Sequence, residues 1–77
     1  MPTIVRLSTC TIYMYWKDHG VPHFHVVDRE EKESKVALDG LTVLKPGANR
    51  RAMKEALEWA SENEDLLREN WEYHQNA

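Results

Sequence analysis

Residues 11–28, TIYMYWKDHGVPHFHVVD, hold two alternating runs on either side of a loop that contains one glycine and one proline. Successive side chains of a strand point to opposite faces of its sheet. In Thr11 to Trp16 this puts Ile12, Met14 and Trp16 on one face and Tyr13 and Tyr15 on the other. In His23 to Asp28 the same parity pairs Phe24 and Val26 with the first set, and His23 and His25 with the second. Folded antiparallel around the loop Lys17 to Pro22, the apolar set becomes the core face. Tyr13, Tyr15, His23 and His25 then form an aromatic and imidazole patch on the open face, with His19 close above it in the loop.

N-terminal to this stretch, Thr3 to Leu7 is a further run of strand formers, separated from Thr11 by a Ser/Thr/Cys turn. On the other side, Arg29 to Glu33 is charged and short and reads as a turn. Ser34 to Leu38 and Leu41 to Lys45 are joined by Asp39-Gly40, a dipeptide suited to a two-residue hairpin because it tolerates positive φ. Pro46-Gly47 ends the strands, and the apolar period changes. Met53, Leu57, Ala60, Leu67 and Trp71 follow one helical stripe, with Glu64 the polar interruption. One helix from Arg50 to His74 would be about 37 Å long, too long for so small a body. Ser61 followed by Glu64 has the spacing of a capping box and predicts a second helix start there. The expected architecture is α+β: an antiparallel meander of four to five strands over about residues 3–45, followed by two C-terminal helices over about 49–74, packed on one face.

A chain of 77 residues makes one domain. Its single cysteine, Cys10, excludes an internal disulfide and suits a reducing, cytoplasmic setting. No basic-then-apolar leader and no run of 18 apolar residues is present, so no membrane partner is expected. Net charge is −3, but residues 1–51 carry eight Lys/Arg against six Asp/Glu, whereas residues 52–77 carry two against seven. The acidic helical end would repel a nucleic-acid backbone, so any phosphate contact belongs to the first two-thirds of the chain.

Three roles compete for the histidines. Three imidazoles can bind zinc and leave a position for water, and strand neighbours such as His23 and His25 can converge on one ion. Asp18 or a tyrosine could assist, but no carboxylate falls on the neighbouring strand positions of that face, so no metal is assigned and the cofactor is left open. Alternatively, His19, His23 and His25, with Tyr13 and Tyr15, could transfer protons in metal-free cleavage of RNA. Arg50 and Arg51, at the start of the first helix, would then be the phosphate-binding residues. The third role is structural: histidines at a hairpin corner satisfy backbone groups, and Tyr–His cross-strand pairs stabilise a sheet without a ligand.

Several segments carry a resemblance. MPTIVRL at 1–7, IYMYW at 12–16 running into KDHGVPHFHV at 17–26, RRAMKEALEW at 50–59 and ENWE at 69–72 are similar to a small prokaryotic family, domain-of-unknown-function family 4160. Gly20-Val21 stands where members commonly have Asn-Pro, a difference in the loop that spares the histidines. Members are often encoded beside a second small protein, in pairs that resemble toxin–antitoxin modules. The resemblance thus implies a cytoplasmic component of a two-protein module, acting by protein–protein recognition on a cognate small protein encoded nearby. The alternative is a ribonuclease-like phosphodiesterase using the His/Tyr cluster, with or without metal, whose target is RNA. Self-association is compatible with either.

Overall fold

The computed structural model describes residues 2–76. Five strands form one antiparallel sheet in the order β1-β2-β3-β4-β5: β1 Thr3–Arg6, β2 Cys10–Tyr13, β3 His23–Asp28, β4 Glu33–Ala37 and β5 Val43–Lys45. Two helices follow, α1 Arg50–Glu62 and α2 Glu64–Asn76. The α+β meander and its two C-terminal helices are as the sequence predicts.

The parity of the central strands also holds. Ile12 lies opposite Val26, and Tyr13 opposite His25. Cys10, Ile12, Met14, Phe24, Val26 and Val36 are fully buried on the core face, against Ala52, Ala56 and Ala60 of α1. A row of alanines four residues apart is one side of a helix, and its small side chains let the helix backbone approach the sheet closely. Asn49 starts α1 by accepting a hydrogen bond from the Ala52 amide, which satisfies one of the unpaired donors of the first turn.

Three boundaries differ from expectation. Asp39-Gly40 does not make a two-residue hairpin; a short 3-10 turn covers Asp39–Leu41, with Gly40 at φ 69° and Leu41 at φ 49°. The Ala37 amide closes the connection on the Thr42 carbonyl. Leu38 is buried and Leu41 packs against the core, so burial of two leucines takes them out of the strands and β5 begins two residues late. The helices do break near Ser61, but no capping box forms. Ser61 Oγ donates to the Glu58 carbonyl and the Asn63 side chain donates to the Trp59 carbonyl, so both residues finish α1. Trp16 is not on β2: it leaves the sheet and packs edge-on against His74 of α2, ring centroids 4.5 Å apart. The Lys17 amide donates to the His74 carbonyl, fixing the end of α2 to the β2–β3 loop.

Two carboxylates tie turns to helices. Asp28 is buried and accepts from the amides of Glu30, Lys32 and Asn49, joining the β3–β4 turn to the start of α1. The Lys32 amide leads in holding its carboxyl below the usual range. Glu55 of α1 accepts from the Ser8 and Thr9 hydroxyls at 2.6 Å each and from the Thr9 amide at 2.7 Å, pinning the β1–β2 turn. The Ser8 and Thr9 hydroxyls chiefly lower its pKa from 4.5 to about 2. A depressed folded-state pKa gives stability that is present above the unfolded value and lost as pH falls through the folded one. Acid unfolding followed by circular dichroism should therefore show Glu55 losing its contribution between about pH 4.5 and 2. In Glu55→Gln that segment of the stability–pH curve should flatten; an unchanged slope would show that the turn does not depend on the charge.

Candidate functional site

The β2–β3 loop and the first residues of β3 assemble the site. His23 and His25 lie two apart on β3 and so face the same way, with Tyr13 directly opposite His25 on β2. The Tyr15 ring lies 4.2 Å from that of His25 between centroids, and the His23 and His25 rings are 5.1 Å apart. The histidine and tyrosine patch read from strand parity is thus assembled. It is not open: His23 is 1% and His25 5% exposed. Trp71 of α2 closes over His23, ring centroids 5.0 Å apart.

Each buried ring has both nitrogens engaged. His23 Nδ1 is 2.7 Å from the Val21 carbonyl oxygen, and its Nε2 is 2.7 Å from Asp18 Oδ2. His25 Nδ1 is 2.8 Å from Glu33 Oε2, and its Nε2 is 3.5 Å from the same Asp18 oxygen. Tyr15 donates its hydroxyl to the Glu33 carboxylate, 3.2 Å from either oxygen. Burial raises the Tyr15 hydroxyl pKa, with the Glu33 charge adding to it. For Asp18, burial pushes the carboxyl upward, but the His19 amide and then the two imidazoles outweigh it, and the net pKa falls below the ordinary value. Asp18 is therefore a carboxylate at neutral pH.

Two carboxylates, Asp18 and Glu33, reach the histidine face, contrary to the expectation that none falls beside the imidazoles there. Glu33 is not part of a turn: it is the first residue of β4, opposite Val27 and therefore on the face of His25. Asp18 reaches that face from the loop, where Lys17 at φ 53° and Gly20 at φ 84° turn the chain sharply. Position on a loop carries no strand parity, so Asp18 offered no such signal beyond its closeness to the histidines. Glu33 could have been found by counting across the hairpin with Val27 as its partner.

The remaining candidates separate from this centre. His19 is exposed, and only its amide joins the network, donating to Asp18 Oδ1. Arg50 and Arg51 are exposed on α1, whose start is anchored by Asp28 and Ser34. Asp28 and Ser34 alternate onto the core face, opposite the histidines, so the arginines and imidazoles do not meet in one phosphate pocket. A hollow of about 370 Å³ opens instead beside His25, lined also by Glu33, Ser34, Lys35 and Lys45. Among the described residues no helix is long and apolar enough to cross a membrane. Cys10 is buried in the core, and burial raises its thiol pKa, which disfavours the nucleophilic thiolate.

A family model described as "Domain of unknown function (DUF4160)" matches residues 10–72, a span that contains the whole histidine centre. No curated protein and no solved structure matches the chain.

Proposed function

The chain belongs to the DUF4160 family, and we propose that this member serves as one component of a two-protein module of toxin–antitoxin type, recognising a second small protein. The observation that carries the reading is a pair of exposed aromatics. Trp16 is 48% and Tyr73 66% exposed, with their rings 6.0 Å apart, where the β2–β3 loop meets α2. Large aromatics that stay in water in the free protein are favoured anchors of protein interfaces, because they bury much area for few frozen torsions. The histidine face is a poorer recognition surface, since its two strand imidazoles are already covered.

Co-expression with a small protein encoded beside it should give a complex that co-elutes. Its melting temperature should exceed that of the free chain, because a partner that binds the folded state stabilises it by mass action. Tyr73→Ala should leave the melting of the free chain within about half a kcal/mol of the parent. The same change should weaken the complex tenfold or more, about 1.4 kcal/mol. Failure to form a complex, or equal affinity for the parent and for the Trp16→Ala/Tyr73→Ala double variant, would sink the proposal.

A further inference from the structure

We infer that Asp18, His23 and His25 form a binding site for one divalent transition-metal ion of the zinc class, with Glu33 and the Val21 carbonyl as its outer support. The inference stands apart from partner recognition, because it rests on the protons and lone pairs of two buried rings.

A carbonyl oxygen can only accept, so His23 Nδ1, 2.7 Å from Val21 O, carries a hydrogen. Glu33 as a carboxylate imposes the same on His25 Nδ1 at 2.8 Å. In a neutral imidazole the lone pair is then on Nε2. Both Nε2 atoms turn toward one oxygen of Asp18, at 2.7 and 3.5 Å. A nitrogen lone pair and a carboxylate oxygen 2.7 Å apart, as at His23, need positive charge between them, and the His25 lone pair faces the same oxygen from 3.5 Å. One proton on His23 Nε2 could supply it, as could a single ion; only the ion engages the His25 lone pair as well.

The distances suit an ion. The three ligand atoms lie within 4.8 Å of one another. Four-coordinate zinc, with bonds of 2.0–2.1 Å, sets neighbouring ligand atoms about 3.3 Å apart. The observed 2.7 and 3.5 Å separations bracket that value, and Asp18, on a loop, can adjust where the strand histidines cannot. The outer contacts are of the kind that orient metal-binding histidines: the far ring nitrogen donates to a backbone carbonyl in one case and to a carboxylate in the other. Tyr15 in turn holds Glu33. Two imidazoles among three ligands favour zinc or a neighbouring first-row ion over magnesium or calcium, which take oxygen. Three protein ligands leave a position for water or another molecule, as catalytic zinc sites do and closed structural ones do not.

The test is titration of untagged, chelator-stripped protein with Zn²⁺ by calorimetry and with Co²⁺ by visible absorption. One ion per chain should bind saturably, raise the melting temperature, and give ligand-field bands with cobalt. Asp18→Asn alters a partly exposed loop residue and should fold, by circular dichroism, yet lose saturable binding. His25→Gln should lose it too. Glu33→Gln should still bind one ion, about 10–100-fold more weakly, whereas His19→Gln should bind as the parent does. Absence of saturable binding by the parent, undiminished affinity in Asp18→Asn and His25→Gln, or loss of the site in His19→Gln would each overturn the assignment. Trp16→Ala/Tyr73→Ala should keep the full zinc stoichiometry, so failure of the partner reading is read separately.

Discussion

Gly47→Ala is expected to destabilise the protein by about 3 kcal/mol or more, through a collision that no rotamer can relieve. A Cβ at position 47 would lie 2.0 Å from the Glu33 carbonyl oxygen and 2.9 Å from its carbonyl carbon. Both obstacles are backbone atoms at the first residue of β4, so either the strand or the Pro46–Asn49 connection must move. The Ala48 amide donates to Ser34 Oγ and the Asn49 amide to Asp28 in that same connection, so displacing it also strains the start of α1. A domain of 77 residues has a total stability of about 4–12 kcal/mol. The loss is therefore a large share of the whole and corresponds to a fall in Tm of about 12–24 °C. Thermal melting of the purified variant measures it. A fall of less than about 4 °C would mean that the 46–49 connection yields freely and does not anchor β4.

Phe24→Ala is expected to be as damaging for a different reason. Phe24 is fully buried between the histidines on β3, opposite Val36 and within the apolar cluster beneath α1. Removing its ring loses the transfer free energy and leaves a cavity, together about 3–5 kcal/mol at well-packed sites. In so small a core few neighbours can close the gap, so the variant should be largely unfolded at 37 °C and gain no cooperative near-ultraviolet signal on cooling to room temperature. Phe24→Leu, which keeps most of the volume, should remain folded. A cooperative melt for Phe24→Ala close to that of the parent would show that the cluster does not depend on this ring.

Strand and helix content were legible because the apolar periods are clean: two in Ile12/Met14 and Phe24/Val26, helical in Met53, Leu57, Ala60, Leu67 and Trp71, although the innermost side of α1 is the neighbouring row Ala52, Ala56 and Ala60 and leaves Met53 and Leu57 partly buried. The gathering of Tyr13, Tyr15, His23 and His25 was legible for the same reason. Their burial was not, because the lid over His23 is Trp71, 48 residues away in sequence on a helix whose course depends on where Asn63 breaks it. Glu33 was hidden by one residue of strand boundary, since Arg29 to Glu33 reads as a turn whereas β4 begins at Glu33. The β3–β4 turn contains Glu31 at φ 64° and sets Val27 opposite Glu33, which puts that carboxylate on the histidine face. Leu38 and Leu41 misled in the opposite sense, since their burial replaced the tight hairpin at Asp39-Gly40 with a 3-10 turn.

Local periodicity and steric preference therefore suffice for the meander, the two helices, the core face of the central strands and the pairing of His23 with His25. Only contacts between distant residues decided that Asp18 and Glu33 meet those imidazoles, that Trp71 covers His23, and that Arg50 and Arg51 belong to the other side of the sheet. The physical reason is that periodicity fixes only the direction of a side chain relative to its own element. Which groups it meets depends on turn register and on loop and helix-break geometry, and these are set by contacts between residues far apart in the chain.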